Sequence, residues 1–230
     1  MRYLFAALSV VGLLQATQVV AQDNLVVVEL YTSQGCSSCP PADAMLHDLA
    51  KRDDVIALAL HVDYWDYIGW KDSFANPAFT ARQHAYARAA NATSVYTPQM
   101  VINGVDHVVG SRPMQVMDAL QAHMRQGNAF DIELTRRSGG VAISAAPGVV
   151  GDYVVQLVRY TPEETVAIRR GENAGRNITY ANIVTSWDVV GRWDGRSALA
   201  LEAAVTGDSP IVVILQQSTD GPIVGAAALR

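Results

Sequence analysis

Two cysteines, and only two, constrain this chain more than any other feature. They stand as Cys36-Ser37-Ser38-Cys39, between the β-branched run Val26-Val27-Val28-Glu29-Leu30-Tyr31 and an apolar, helix-periodic stretch that opens with Pro40-Pro41. A turn between a strand and a helix is the position that a redox dithiol takes in a βαβ unit. A disulfide between these two cysteines closes a loop of a few residues and restricts the unfolded chain little. With 230 residues, 50% of them hydrophobic, the chain buries an ordinary core without covalent staples. The pair therefore reads as functional rather than structural.

The N-terminal residues give that chemistry a setting. Arg2 precedes an apolar core from Leu4 to Leu14, and Val19-Val20-Ala21 places small or modest side chains before Gln22. Residues 1–21 are read as a signal peptide. The alternative, an uncleaved anchor, is opposed by an apolar run shorter than the roughly 20 residues of a membrane span. No span is expected in the mature chain. Export would place the thiols in an oxidising compartment, where disulfides persist. The net charge is −5 and basic residues form no cluster, which argues against nucleic acid or an anionic membrane as the main partner.

Periodicity divides the rest. Residues 25–31 and 55–62 read as buried strands, with a helix between them to about Arg52. Asn76-Pro77 reads as a helix N-cap with proline at the first position, and that helix runs to about Ala90. Asn103-Gly104 between Gln99–Ile102 and Val105–Val109 predicts a hairpin. Met114, Met117, Leu120 and Met124 form one face of a helix that ends at Gly127. The order β, CxxC, α, β, α, β, β, α over residues 25–127 resembles the thioredoxin arrangement. From about Phe130 the pattern changes to short strands separated by glycine-rich turns, with strands predicted at 130–135, 152–160, 164–169, 177–190, 198–205, 211–217 and 222–228. The expected fold class is therefore α/β: a thioredoxin-like domain over 22–128, then a smaller all-β, sandwich-like domain over 129–230.

Three sets of residues carry candidate chemistry. Cys36 would attack and Cys39 resolve, with the first sulfur exposed and the second shielded. Pro40-Pro41 complicates this, because a helix that starts at Pro40 leaves Cys36 outside it and less activated by its dipole. Thr97-Pro98 precedes the hairpin; in a thioredoxin-like fold this bond is cis, lies beside the CxxC and shapes a substrate groove, whereas elsewhere it is an ordinary trans proline. Glu29, the acid on the first strand, is either a proton acceptor for Cys39 or a strand-face glutamate that points to solvent or pairs with a cation. The aromatic stretch Tyr64–Trp70 is either a lid beside the cysteines or a packed loop. His47, His61, His84, His107 and His123 are scattered, and no tight Cys–His set makes a structural zinc site. Cu(I) on the two thiolates plus one histidine is an alternative. Asn91-Ala92-Thr93 and Asn177-Ile178-Thr179 match the glycosylation sequon.

The run Glu29-Leu30-Tyr31-Thr32-Ser33-Gln34-Gly35-Cys36-Ser37-Ser38-Cys39-Pro40-Pro41-Ala42-Asp43 resembles the signature of a secreted bacterial thioredoxin-like family catalogued as a domain of unknown function. His61–Asp66, Gly69–Asp72, Tyr96–Gln99 and Gly171–Arg176 fit the same family. The resemblance implies a bacterial periplasmic or secreted protein and carries the general thioredoxin pattern onto Cys36, Cys39 and Pro98. Ser-Ser between the cysteines, where Gly-Pro is common, leaves redox potential and direction undefined. The function expected is a thiol–disulfide oxidoreductase, without a cofactor, acting on protein thiols or disulfides. The alternatives are a redox-inactive or copper-binding module of the cell envelope and an inert disulfide.

Overall fold

The computed structural model describes residues 25–230, so the signal-peptide reading of residues 1–21 lies outside the described residues. The first half follows the predicted order. β1 (Val26–Thr32) and β2 (Val55–His61) are parallel, with Val26 opposite Val55, and are joined through α1 (Pro40–Leu49). α2 (Pro77–Ala89) begins where Asn76 caps the Ala78 amide at 2.9 Å. β3 (Gln99–Ile102) runs antiparallel to β1 and pairs with β4 (Asp106–Val109). Asn103 and Gly104 both have positive φ, 46° and 71°, the pair of conformations a two-residue hairpin turn needs. α3 (Pro113–Gln126) stops at Gly127, whose φ is 72°.

The second half holds β5 (Ile132–Arg137), β6 (Gly140–Ala145), β7 (Tyr153–Ala167), β8 (Asn177–Trp193), β9 (Leu199–Ala204), β10 (Ile211–Gln217) and β11 (Ile223–Leu229). β6 was not predicted, because its Gly140 and two alanines read as turn and linker. The strands predicted at 152–160 and 164–169 are one strand. Pro162 is tolerated within it because it lies past Arg159, where β10 no longer pairs with β7.

The expected fold class, a thioredoxin-like domain followed by a separate smaller all-β domain, does not hold. The strands form one mixed eight-stranded sheet, in the order β11-β10-β7-β8-β2-β1-β3-β4, and a three-stranded sheet, β5-β6-β9. The join is β8 against β2, parallel, with Ala59 opposite Ile183. Asn182, at φ 47°, turns its amide to the Ala57 carbonyl at 2.8 Å. The physical reason lies in β2. Every residue of Val55–His61 is buried, and a buried strand must pair its polar backbone on both edges. β1 takes one edge and β8 takes the other. The change in sequence character near residue 130 marks a change in element type, not a boundary of the core.

Packing follows from this join. Val27, Tyr31, Leu58 and Leu60 from the first half share a core layer with Val158, Val184, Val212 and Ile214 from the second, beneath Phe79 and Tyr86 of α2. α1 and α3 cover the opposite face of β1, β2 and β3. The three-stranded sheet packs Ile132, Leu134 and Ile143 on Val155, Leu157 and Val213. A fragment that ends at residue 128 would expose the layer under α2 and the open edge of β2. It is predicted to lack a cooperative thermal transition by circular dichroism; a sharp two-state transition in that fragment would contradict the shared core.

Candidate functional site

The cysteines sit where β1 hands over to α1. After Thr32 the chain turns tightly, with the Cys36 amide on the Ser33 carbonyl at 3.1 Å. Cys39 caps α1, and its carbonyl receives the amides of Ala42 at 2.8 Å and Asp43 at 3.0 Å. Pro40 is the first helical residue, so Cys36 stands outside the helix. The two cysteines are joined as a disulfide, with Cα atoms 5.4 Å apart. The expected exposed first sulfur is not found: Cys36 is 1% and Cys39 0% exposed, while Ser37 and Ser38 between them face solvent.

The cover comes from the far half of the chain. In the connection between β7 and β8, the Asn173 side-chain amide donates to the carbonyls of Gln34 and Cys36, both at 2.9 Å. Glu172 accepts from the Ser37 amide at 3.2 Å. Gly171 adopts φ 75°, and a β-carbon there would lie 3.2 Å from that of Trp70. Glycine is thus required both by the backbone and by the approach to Trp70. Gly35 is similarly close, its virtual β-carbon 3.1 Å from Ile68 and 3.3 Å from Trp65.

The aromatic stretch ties the site together. The Trp70 indole donates to Gln34 at 2.8 Å, and the Trp65 indole to the Thr97 hydroxyl at 2.7 Å. Tyr67 stacks on Trp65 and is 80% exposed. The Thr97–Pro98 peptide bond is cis. Gly110 lies between Pro98 and Ala42 of the first turn of α1, its virtual β-carbon 3.2 Å and 3.0 Å from them. Cys36, Cys39, Thr97 and Pro98 therefore belong to one neighbourhood.

Glu29 does not. Side chains alternate along β1: Thr32 points to α1, while Glu29 and Tyr31 point to the α2 side. Arg82 donates to both Glu29 oxygens, at 2.7 and 2.8 Å, Tyr86 to one at 2.7 Å and Tyr31 to the other at 3.0 Å. Burial first, then the Glu29 charge, hold both phenols well above their ordinary pKa, so they stay donors. Of the two readings of Glu29, this geometry fits the glutamate paired with a cation.

The acid beside the dithiol is Asp43, one turn after Cys39 and 3% exposed. The Thr32 hydroxyl donates to its Oδ1 at 2.7 Å, and its Oδ2 has no partner. Burial pushes its pKa up to about 7; the Thr32 hydrogen bond and His61 oppose the shift, and Asp72 adds to it. His61 Nδ1 lies 2.7 Å from Asp72, whose same oxygen accepts the Gln34 amide at 2.8 Å. Tyr180 of β8 lies edge-on to His61, ring centroids 4.9 Å apart. Burial, then Asp43 and Asp72, raise its pKa well above the ordinary phenol value. Among the described residues, five buried side-chain atoms lack a hydrogen-bond partner, and four of them belong to this set: Asp43 Oδ2, His61 Nε2, Asn173 Oδ1 and Tyr180 OH.

Sequence reasoning missed this set. His61, Asp72 and Asn173 lie within the family motifs, but Asn173 is more than 100 residues from the other two, and Tyr180 carries no motif at all. Asp43 left a trace, as an acid on the otherwise apolar face of α1. His47 instead meets exposed Glu163 at 2.9 Å. Among the described residues, no three His, Cys, Asp or Glu side chains are grouped to hold a metal ion.

Fold and site together define a protein built on a mixed eight-stranded sheet with a second, three-stranded sheet and three helices, which carries a CxxC disulfide at the end of its first strand, covered from the far half of the chain. The chain belongs to the family described as "Protein of unknown function (DUF1223)", which matches residues 27–216. It is 36% identical to an Agrobacterium tumefaciens protein whose crystal structure came from structural genomics. The match covers 91% of this chain and 96% of that one at a TM-score of 0.79. HBP35 of Porphyromonas gingivalis shares the fold at 13% identity and a TM-score of 0.60, over 92% of this chain and 76% of that one. No curated protein matches the chain. Among the described residues, no helix is long and apolar enough to cross a membrane.

The Asp43 shift makes a signed prediction. Between its ordinary value of 3.8 and about 7, the folded state keeps a proton that the unfolded state has lost. The stability linked to this group is fully present below pH 4 and is lost as pH rises through about 7. Asp43→Asn removes the dependence. Urea denaturation from pH 4 to 8 should show the variant gaining on the parent by up to about 4 kcal/mol; a constant difference across that window would contradict the assignment.

Proposed function

We propose that this protein is a thiol–disulfide oxidoreductase acting on protein thiols or disulfides through Cys36 and Cys39. The observation that carries the reading is where the unpartnered buried polar atoms lie. Four of five belong to residues packed about the Cys36–Cys39 turn. Such groups are rare in folded proteins, and their gathering beside a reactive pair supports a chemical role for it.

Magnitudes oppose the inert disulfide. Cross-linking a loop this short stabilises by roughly 2 kcal/mol in a chain-entropy account. Keeping Asp43 protonated to about pH 7 costs about 4 kcal/mol at neutral pH. So small a contribution from the loop supports use of the pair in chemistry over use as a staple.

Cys36 is the sulfur for attack: exposed Ser37 and Ser38 follow it directly, and the turn of Glu172 and Asn173 bonds its carbonyl and the Ser37 amide. Cys39, enclosed at the head of α1, is the resolving sulfur. Pro98 lacks an N–H and flanks the first turn of α1, so a backbone alongside it meets no competing donor there. Substrate reaches Cys36 when the Glu172–Asn173 turn yields.

The test is turnover of a mixed-disulfide peptide by the purified protein. Cys36→Ser should lose at least a hundredfold, and Cys39→Ser should stall as a covalent mixed disulfide. Unchanged turnover in Cys36→Ser would overturn the reading.

A further inference from the structure

We propose that Asp43 is the proton-transfer group for the Cys39 sulfur. The inference deepens the oxidoreductase reading and rests on it.

Position comes first. Asp43 follows Cys39 by four residues, and its amide bonds the Cys39 carbonyl at 3.0 Å. Cys39 is already in the right-handed helical conformation, at φ −78° and ψ −35°. The two side chains therefore lie one turn apart on the same flank of α1. Both are buried, at 0% and 3% exposure, so water does not readily serve Cys39.

Capacity comes second. Asp43 Oδ1 takes the Thr32 hydroxyl, and Oδ2 takes nothing. Glu29 is the contrast, since both its oxygens are committed to Arg82 and the two tyrosines. The groups acting on Asp43 are Thr32 from β1, His61 from the end of β2 and Asp72 from the segment before α2. It acts in turn on Tyr180 from β8. No lysine or arginine is among them. Its pKa of about 7 equips it to give and take a proton near neutrality.

The step balances in both directions. When a substrate thiolate attacks Cys36, a substrate–Cys36 disulfide forms, the Cys36–Cys39 bond breaks and its electron pair leaves on the Cys39 sulfur. The protonated Asp43 carboxyl then gives that sulfur its proton. In the reverse direction the Asp43 carboxylate takes the Cys39 proton as that sulfur attacks Cys36 of the mixed disulfide. The Cys36–Cys39 bond re-forms and the substrate leaves as thiolate.

The test separates the two sulfurs. Reduced protein is mixed with the chromogenic disulfide dithiobis(nitrobenzoate), which releases one coloured thiolate as Cys36 attacks and a second as Cys39 resolves. In Asp43→Asn the first release should keep its rate, while the second slows at least tenfold and loses the pH inflection that the Asp43 carboxyl gives it in the parent protein. Loss of the first release in the parent protein would instead sink the oxidoreductase reading. If both phases slowed equally, or the inflection persisted in the variant, Asp43 would be structural and the proposal wrong. Carbon-13 NMR of the parent protein needs no variant: the Asp43 carboxyl should titrate at different midpoints in the disulfide and dithiol forms, and an identical midpoint would overturn the proposal.

Discussion

The ion pair of Glu29 and Arg82 is the contact on which the arrangement depends. Arg82 is 9% exposed and Glu29 fully buried, so neither charge has water to return to. Removing one partner from such a pair costs about 3–5 kcal/mol, because the other charge is left bare. The guanidinium does more than neutralise Glu29. It donates to the side chain of Gln216 at 3.1 Å and to the Thr219 carbonyl at 3.1 Å, and lies 3.9 Å from the ring centre of Trp187. Gln216 also bonds Gln156 and Tyr86. One side chain from α2 thus binds β1 of the first half to β7, β8 and β10 of the second. The satisfied polar network fixes the register of the halves, which apolar packing alone leaves looser.

That register sets the site. With β8 held beside β2, the connection between β7 and β8 falls over the end of β1, where Asn173 reaches the Gln34 and Cys36 carbonyls. Tyr180, near the start of β8, falls beside His61. Two polar clusters therefore flank the sheet near β1. The Arg82 cluster is saturated and holds the fold. The Asp43 cluster is unsaturated and adjoins the disulfide. The alternation of side chains along β1 sends Glu29 to the first and Thr32 to the second.

Local elements of the first half were legible because each rests on near neighbours in sequence. The Asn76-Pro77 cap, the Asn103-Gly104 turn and the stop at Gly127 are each fixed by the conformations of one or two residues. The CxxC was legible because its spacing is its chemistry. The joined sheet was not, since nothing in Val55–His61 says which strand fills its second edge. The composition change near residue 130 suggested a second domain. Asp43 closes the cysteine motif in the sequence, but choosing it over Glu29 needed the direction of each side chain from β1. Asn173 stood in a motif whose purpose only its distance from Cys36 reveals.

Control of access to Cys36 by the far half of the chain is the part of the proposal that the joined sheet supports. Its most direct test is the alkylation rate of Cys36 in a Cys39→Ser background, with and without Asn173→Ala. A reaction at least tenfold faster is expected when Asn173 is removed, since its two hydrogen bonds hold the cover in place. Equal rates would contradict it and leave the joined sheet without a part in the chemistry.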